Sequence, residues 1–111
     1  MRIEQLNNCT VIHCEENESR LDASCAPDFI RDVCRRIDEL GNIGEAVILD
    51  LKQVEFADSS GLGAIVLIFQ KLQKKLLLCS VGEQVKKLLK TTRLDSIFTW
   101  YQDIPSALRA V

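Results

Sequence analysis

A chain of 111 residues has room for one domain and not for a second. Apolar residues make up 47% and charged residues 27%, the mix of a globular protein that buries its core without disulfide or metal staples. A net charge of -2 gives no basic field to attract nucleic acid or acidic lipid.

Met1-Arg2-Ile3-Glu4 is charged and no apolar stretch follows it, so no secretory signal is expected. The longest apolar run, Leu62 to Phe69, has eight residues, whereas a spanning helix needs about 20. The expectation is a cytoplasmic protein with no direct membrane insertion. Five cysteines, an odd number without C-x-x-C spacing, predict buried thiols and no disulfide framework. His13 is the only histidine, so no metal site or other cofactor is expected.

In chain order, Ile3, Leu6, Val11, Ile12 and Cys14 predict strands over 2–6 and 9–14, joined by a turn at Asn7-Asn8. Glu15 to Arg20 is polar and reads as a loop. Ser24 or a neighbour then caps a helix that Pro27 helps to start. Phe29, Ile30, Val33, Ile37 and Leu40 recur at helical spacing, and Gly41 ends the run. Arg31, Arg35 and Arg36 fall on its solvated side. Ala46 to Leu51 is nearly all apolar and predicts a strand covered on both faces.

A turn follows over Val54 to Gly61, then a buried helix from Leu62 to about Lys74. Leu76 to Val81 predicts a strand. Val85, Leu88 and Leu89 mark a third helix, with Glu83 at its start and Lys86, Lys87 and Lys90 toward its end, as the helix dipole favours. Phe98 to Tyr101 predicts a last strand, with Trp100 and Tyr101 partly buried. Asp103 and Pro105 open a short helix through Leu108. The order β-β-α-β-α-β-α-β-α predicts one α/β domain over 1–111, with a mixed sheet of four to five strands and about four helices.

The most informative stretch is Ala57-Asp58-Ser59-Ser60-Gly61-Leu62-Gly63. Asp58, Ser59 and Ser60 can each accept a hydrogen bond from the free N–H groups of a first helical turn. The two glycines allow a tight turn and close packing. Chemistry alone leaves a helix cap with redundant oxygens as a sufficient explanation. One residue separates the string from a G-x-S-x-G nucleophile elbow. The sole histidine, however, lies upstream of the serines, so the order serine, acid, histidine fails. Gly61-x-Gly63-x-x-Val66 lacks the third glycine of a dinucleotide loop. No enzymatic activity is expected.

Val47 to Leu51, followed by Val54 to Gly63, resembles the signature of STAS domains, above all the bacterial anti-sigma factor antagonists. Arg20-Leu21-Asp22 resembles the Leu-Asp turn before the family's first helix. Val85 to Leu89 resembles its third helix, and Leu94-Asp95-Ser96-Ile97-Phe98 its Leu-Asp-x-x-Phe string. The sequence departs from the family with Arg20 and Arg93 where glycine is frequent, and with Lys74-Lys75 in place of a glycine-rich turn.

The resemblance implies a phosphorylation-controlled anti-sigma factor antagonist. The serine after the aspartate, here Ser59, is the phosphorylation site it implies, with Ser60 the secondary candidate. Asp22, Asp58, Ser59, Ser60, Gly61 and Leu62 are the implied partner-binding residues. The implied partners are an anti-sigma factor that is also a serine kinase, and a PP2C-type phosphatase that resets the switch. The alternative is a non-sigma STAS binding module of a signalling or lipid-transport complex. Two serines after Asp58 favour the phosphoswitch.

Overall fold

The computed structural model describes residues 1–111. Strands β1 (Arg2–Leu6) and β2 (Cys9–His13) pair antiparallel, with Leu6 opposite Cys9. Asn7 and Asn8 join them at φ 48° and 61°. Both are left-handed, the conformation of the two-residue turn that matches strand twist, and asparagine tolerates it. The chain continues through β3 (Arg20–Leu21), α1 (Ala26–Leu40), β4 (Val47–Asp50) and β5 (Phe56–Ala57). It then runs through α2 (Ser59–Lys71), β6 (Leu76–Cys79), α3 (Glu83–Thr91), β7 (Trp100–Tyr101) and α4 (Ile104–Arg109).

The main sheet has five strands in the order β1-β2-β4-β6-β7. β2, β4, β6 and β7 are parallel and β1 alone runs against its neighbour, so the sheet is mixed as expected. Alternation along the strands divides the core in two. Ile12, Val47, Leu49, Leu76 and Leu78 face α1, α2 and α3 in the larger cluster. Cys9, Val11, Ile48 and Cys79 face Ala107 of α4 in the smaller one. β4 therefore has apolar cover on both sides, which explains its nearly unbroken apolar sequence.

Five expectations need correction. A second sheet exists, in which β3 and β5 pair in parallel. Both strands fall where loop or turn was expected, because two residues are too few for an alternating pattern to register. α2 starts at Ser59 rather than Leu62, since Asp58 caps it. It ends at Lys71 rather than near Lys74, because Gln73 and Lys74 take φ of 54° and 69°. Ser24 does not cap α1: Cys25 holds that position without a side-chain bond, and the Ser24 hydroxyl donates to Asp22 instead. The thiols, finally, are not uniformly buried. Cys9, Cys14 and Cys79 are, whereas Cys25 and Cys34 are half-buried.

Burial, ahead of the charge of Glu18, pushes the Cys14 thiol up to about 12. Burial, ahead of Asp50, does the same for Cys79, also to about 12. Both remain neutral thiols and act as small apolar side chains. His13 sits with Nδ1 2.7 Å from Asp50 and Nε2 2.7 Å from Glu4, tying β1, β2 and β4 together. No helix is long and apolar enough to cross a membrane.

Candidate functional site

The small sheet carries the site. Arg20 pairs with Phe56 and Leu21 with Ala57. Leu21 and Ala57 point into the core, at 2% and 1% exposure. Strand alternation then turns Arg20 and Phe56 outward. The Arg20 guanidinium lies over the Phe56 ring, 4.5 Å from its centroid. Just beyond the ladder the Asp58 N–H donates to Leu21 O at 3.1 Å, which brings the Asp58 turn against the Asp22 turn.

Asp58 fastens the two turns together. One carboxylate oxygen accepts from the Gly61 N–H at 2.9 Å and caps α2. The other accepts from the Ala23 N–H at 3.2 Å, across 35 residues of chain. From the opposite side, the Gln84 side chain of α3 takes both backbone groups of Ala57. It accepts from the N–H at 2.9 Å and donates to the carbonyl at 2.8 Å. The start of α2 is thus held by two segments far from it in sequence.

With Asp58 supplying the cap, Ser59 and Ser60 stand exposed as the first two residues of α2. A helix start favours anions, because its N–H groups are unpaired and the dipole is positive there. Ser59, Ser60, Gly63 and Leu67 follow one another along the exposed side of α2, and Leu67 is 53% exposed. The helix is therefore not buried all round.

The two glycines have different reasons. A Cβ on Gly61 would lie 1.9 Å from the Leu21 carbonyl oxygen, so the position requires glycine for close approach rather than for positive φ. A Cβ on Gly63 would meet nothing within 4 Å. Leu62 is 1% exposed and Gly61 is also buried, so neither offers atoms to a partner. Their expected part in docking reduces to fixing the turn.

Asp22 accepts from the Ser24 hydroxyl at 2.5 Å, the Ser24 N–H at 3.1 Å and Arg20 Nε at 3.2 Å. The Ser24 hydroxyl first, and Arg20 next, hold its carboxyl down at about 2. The Ala23 N–H to Asp58 bond thus places the Asp22 turn beside Asp58, Ser59 and Ser60. The sequence reading missed the Arg20–Phe56 stack, the Gln84 clamp and the distinct position of Gly63. Only the order Arg, Leu, Asp beside a Phe-Ala-Asp string hinted that two short strands run side by side.

The sequence profile of the STAS domain matches residues 1–107. The chain belongs to the STAS domain family. Solved structures agree with that assignment. A putative anti-sigma factor antagonist from Thermotoga maritima matches with TM-score 0.83 and 25% identity over 99% of this chain and 92% of its own. The Bacillus cell fate determinant SpoIIAA in its phosphorylated form matches with TM-score 0.66 and 17% identity, over 99% and 98%. A sulfate transporter family protein from Wolinella succinogenes matches with TM-score 0.72 and 18% identity, over 90% and 81%. The last two likenesses concern the fold alone. In this STAS domain the start of α2 therefore sits on the family scaffold.

Proposed function

We propose that this STAS domain is an anti-sigma factor antagonist switched by phosphorylation of Ser59. The observation that carries the reading is the placement of Ser59: exposed, first in α2, beside a carboxylate already committed to two backbone N–H groups. The unphosphorylated domain docks through Asp22, Asp58, Ser59, Ser60 and the exposed side of α2. Its partner, both anti-sigma factor and serine kinase, then releases what it holds. In the reset cycle the partner transfers the γ-phosphoryl of ATP to the Ser59 oxygen. ADP leaves, and the serine proton passes to a base on the partner. A PP2C-type phosphatase later hydrolyses the ester. The domain itself performs no catalysis and works in the cytoplasm.

The physics of the switch follows from its place. A phosphate adds about -1.5 to -2 charge at pH 7. The helix start tolerates that charge, so the domain stays folded. A docked partner must desolvate it or push against it. The turn is fixed by Asp58, Gln84 and the Gly61 contact, so the charge appears at one place and not over a moving loop.

The test begins with affinity capture on Ser59→Ala protein and identification of the retained chain. The retained chain is then incubated with wild-type protein and ATP, and the product is mapped by mass spectrometry. A captured serine kinase that labels Ser59 supports the proposal. Phosphate mainly on Ser60 or Thr91 contradicts it. Capture of a chain without kinase activity supports a constitutive STAS binding module instead.

A further inference from the structure

We propose that Arg20 is the residue through which this chain reads its own phosphorylation: its guanidinium leaves Asp22 and pairs with the Ser59 phosphate. The inference rests on the proposed role of Ser59 and names the group that answers the modification.

Arg20 lies opposite Phe56 and Leu21 opposite Ala57. One step further, Asp22 lies beside Asp58, as the Ala23 N–H to Asp58 bond requires. Ser59 follows directly. The Arg20 side chain already leans along the strand in this direction, since its Nε donates to Asp22 at 3.2 Å. Strand alternation turns Arg20 outward on the small sheet, and Ser59 is exposed one residue beyond Asp58. A phosphate on Ser59 extends several bonds from the backbone into solvent.

Chemistry favours the exchange. A phosphate carries up to twice the charge of a carboxylate and offers three oxygens to a fork of donors, which guanidinium matches bidentately. Asp22 keeps its hydroxyl and N–H donors from Ser24 when Arg20 leaves, so its carboxylate is not stranded. Arg20 is 61% exposed along its side chain, so nothing encloses it in the present pairing. The Phe56 ring lies beneath the guanidinium, 4.5 Å from it to the ring centroid.

The exchange alters what a partner meets. Before modification the face shows a neutralised Asp22 and a free hydroxyl. Afterwards it shows an uncovered Asp22 carboxylate beside a phosphate whose charge Arg20 partly masks. The chain's departure from glycine at position 20 thereby becomes a feature of its switch.

The test uses full-length protein carrying phosphoserine at 59, installed during translation so that no kinase is needed. Phosphorus NMR follows the phosphate through its second ionisation in wild type, Arg20→Gln and Arg20→Lys. A neighbouring cation favours the dianion, so wild type titrates lower than Arg20→Gln, by roughly 0.5 pH unit for an exposed pair. Arg20→Lys, which keeps charge but loses the fork, falls between them. Independently of any variant, the Arg20 Nε–H resonance of wild type shifts when Ser59 is phosphorylated. Equal midpoints in wild type and Arg20→Gln, or an unmoved Nε–H resonance, overturn the inference. Kinase labelling elsewhere than Ser59 defeats the proposed function instead and leaves these measurements intact.

Discussion

Asp58 commits each carboxylate oxygen to a different backbone N–H, one in its own helix and one in a turn 35 residues upstream. Its removal therefore costs more than an ordinary cap. Asp58→Ala is expected to lower stability by about 1–2 kcal/mol, read from urea unfolding. An unchanged midpoint would show that the two turns hold without it. Asp22 makes a different prediction, one of pH. Its carboxyl lies lower in the folded domain, near 2, than the ordinary 3.8. A depressed carboxyl adds stability that is present above its unfolded value and lost as pH falls through the folded one. Asp22→Asn is thus expected to flatten the stability curve between about pH 4 and pH 2. Acid unfolding that matches wild type would count against the Ser24 and Arg20 bonds. At this scale the sequence was readable where a side chain acts locally. Asp58 as a cap oxygen follows from residue type and position. Its bond to Ala23 does not, because nothing local to either residue encodes the other.

The start of α2 carries the proposed site, and its two glycines stand in different surroundings. Gly61 lies under the Leu21 carbonyl, and a methyl group there collides with backbone that cannot swing away. Gly61→Ala is expected to cost about 1–3 kcal/mol in thermal or urea unfolding, the range for overpacked sites. Gly63 has open space around it inside a helix, where alanine is better by about 1 kcal/mol. Gly63→Ala should therefore keep or raise stability while weakening the captured partner's binding. Full binding by Gly63→Ala would remove the exposed side of α2 from the docking surface. The helix itself was legible through its apolar residues, and its true start was displaced by three positions. Apolar periodicity begins at Leu62, whereas the hydrogen-bonded helix begins as soon as Asp58 caps it. Leu67 shows the complementary failure, since an apolar side chain on a helix need not face a core.

Across the whole molecule, the mixed sheet and its crossovers bring 20–23, 57–61 and Gln84 to one place. The hairpin, strands β2, β4, β6 and β7 and the helices between them were readable from turn residues and periodicity, whereas their order in the sheet was not. The two-residue strands β3 and β5 were not readable, although they bring the Asp22 and Asp58 turns together. A two-residue ladder leaves no pattern in sequence and exists only because the larger sheet delivers both ends. Ser59 is proposed to be a switch and not merely a residue in a helix start. Titration calorimetry of Ser59→Ala and Ser59→Asp against the captured partner tests this most directly, with circular dichroism as the folding control. Both variants should stay folded, because the cap belongs to Asp58. Ser59→Ala is predicted to bind as wild type does. Ser59→Asp is predicted to bind about 100-fold more weakly, a loss of about 2.7 kcal/mol. Equal affinities for the two folded variants would contradict the switch and leave a constitutive binding domain.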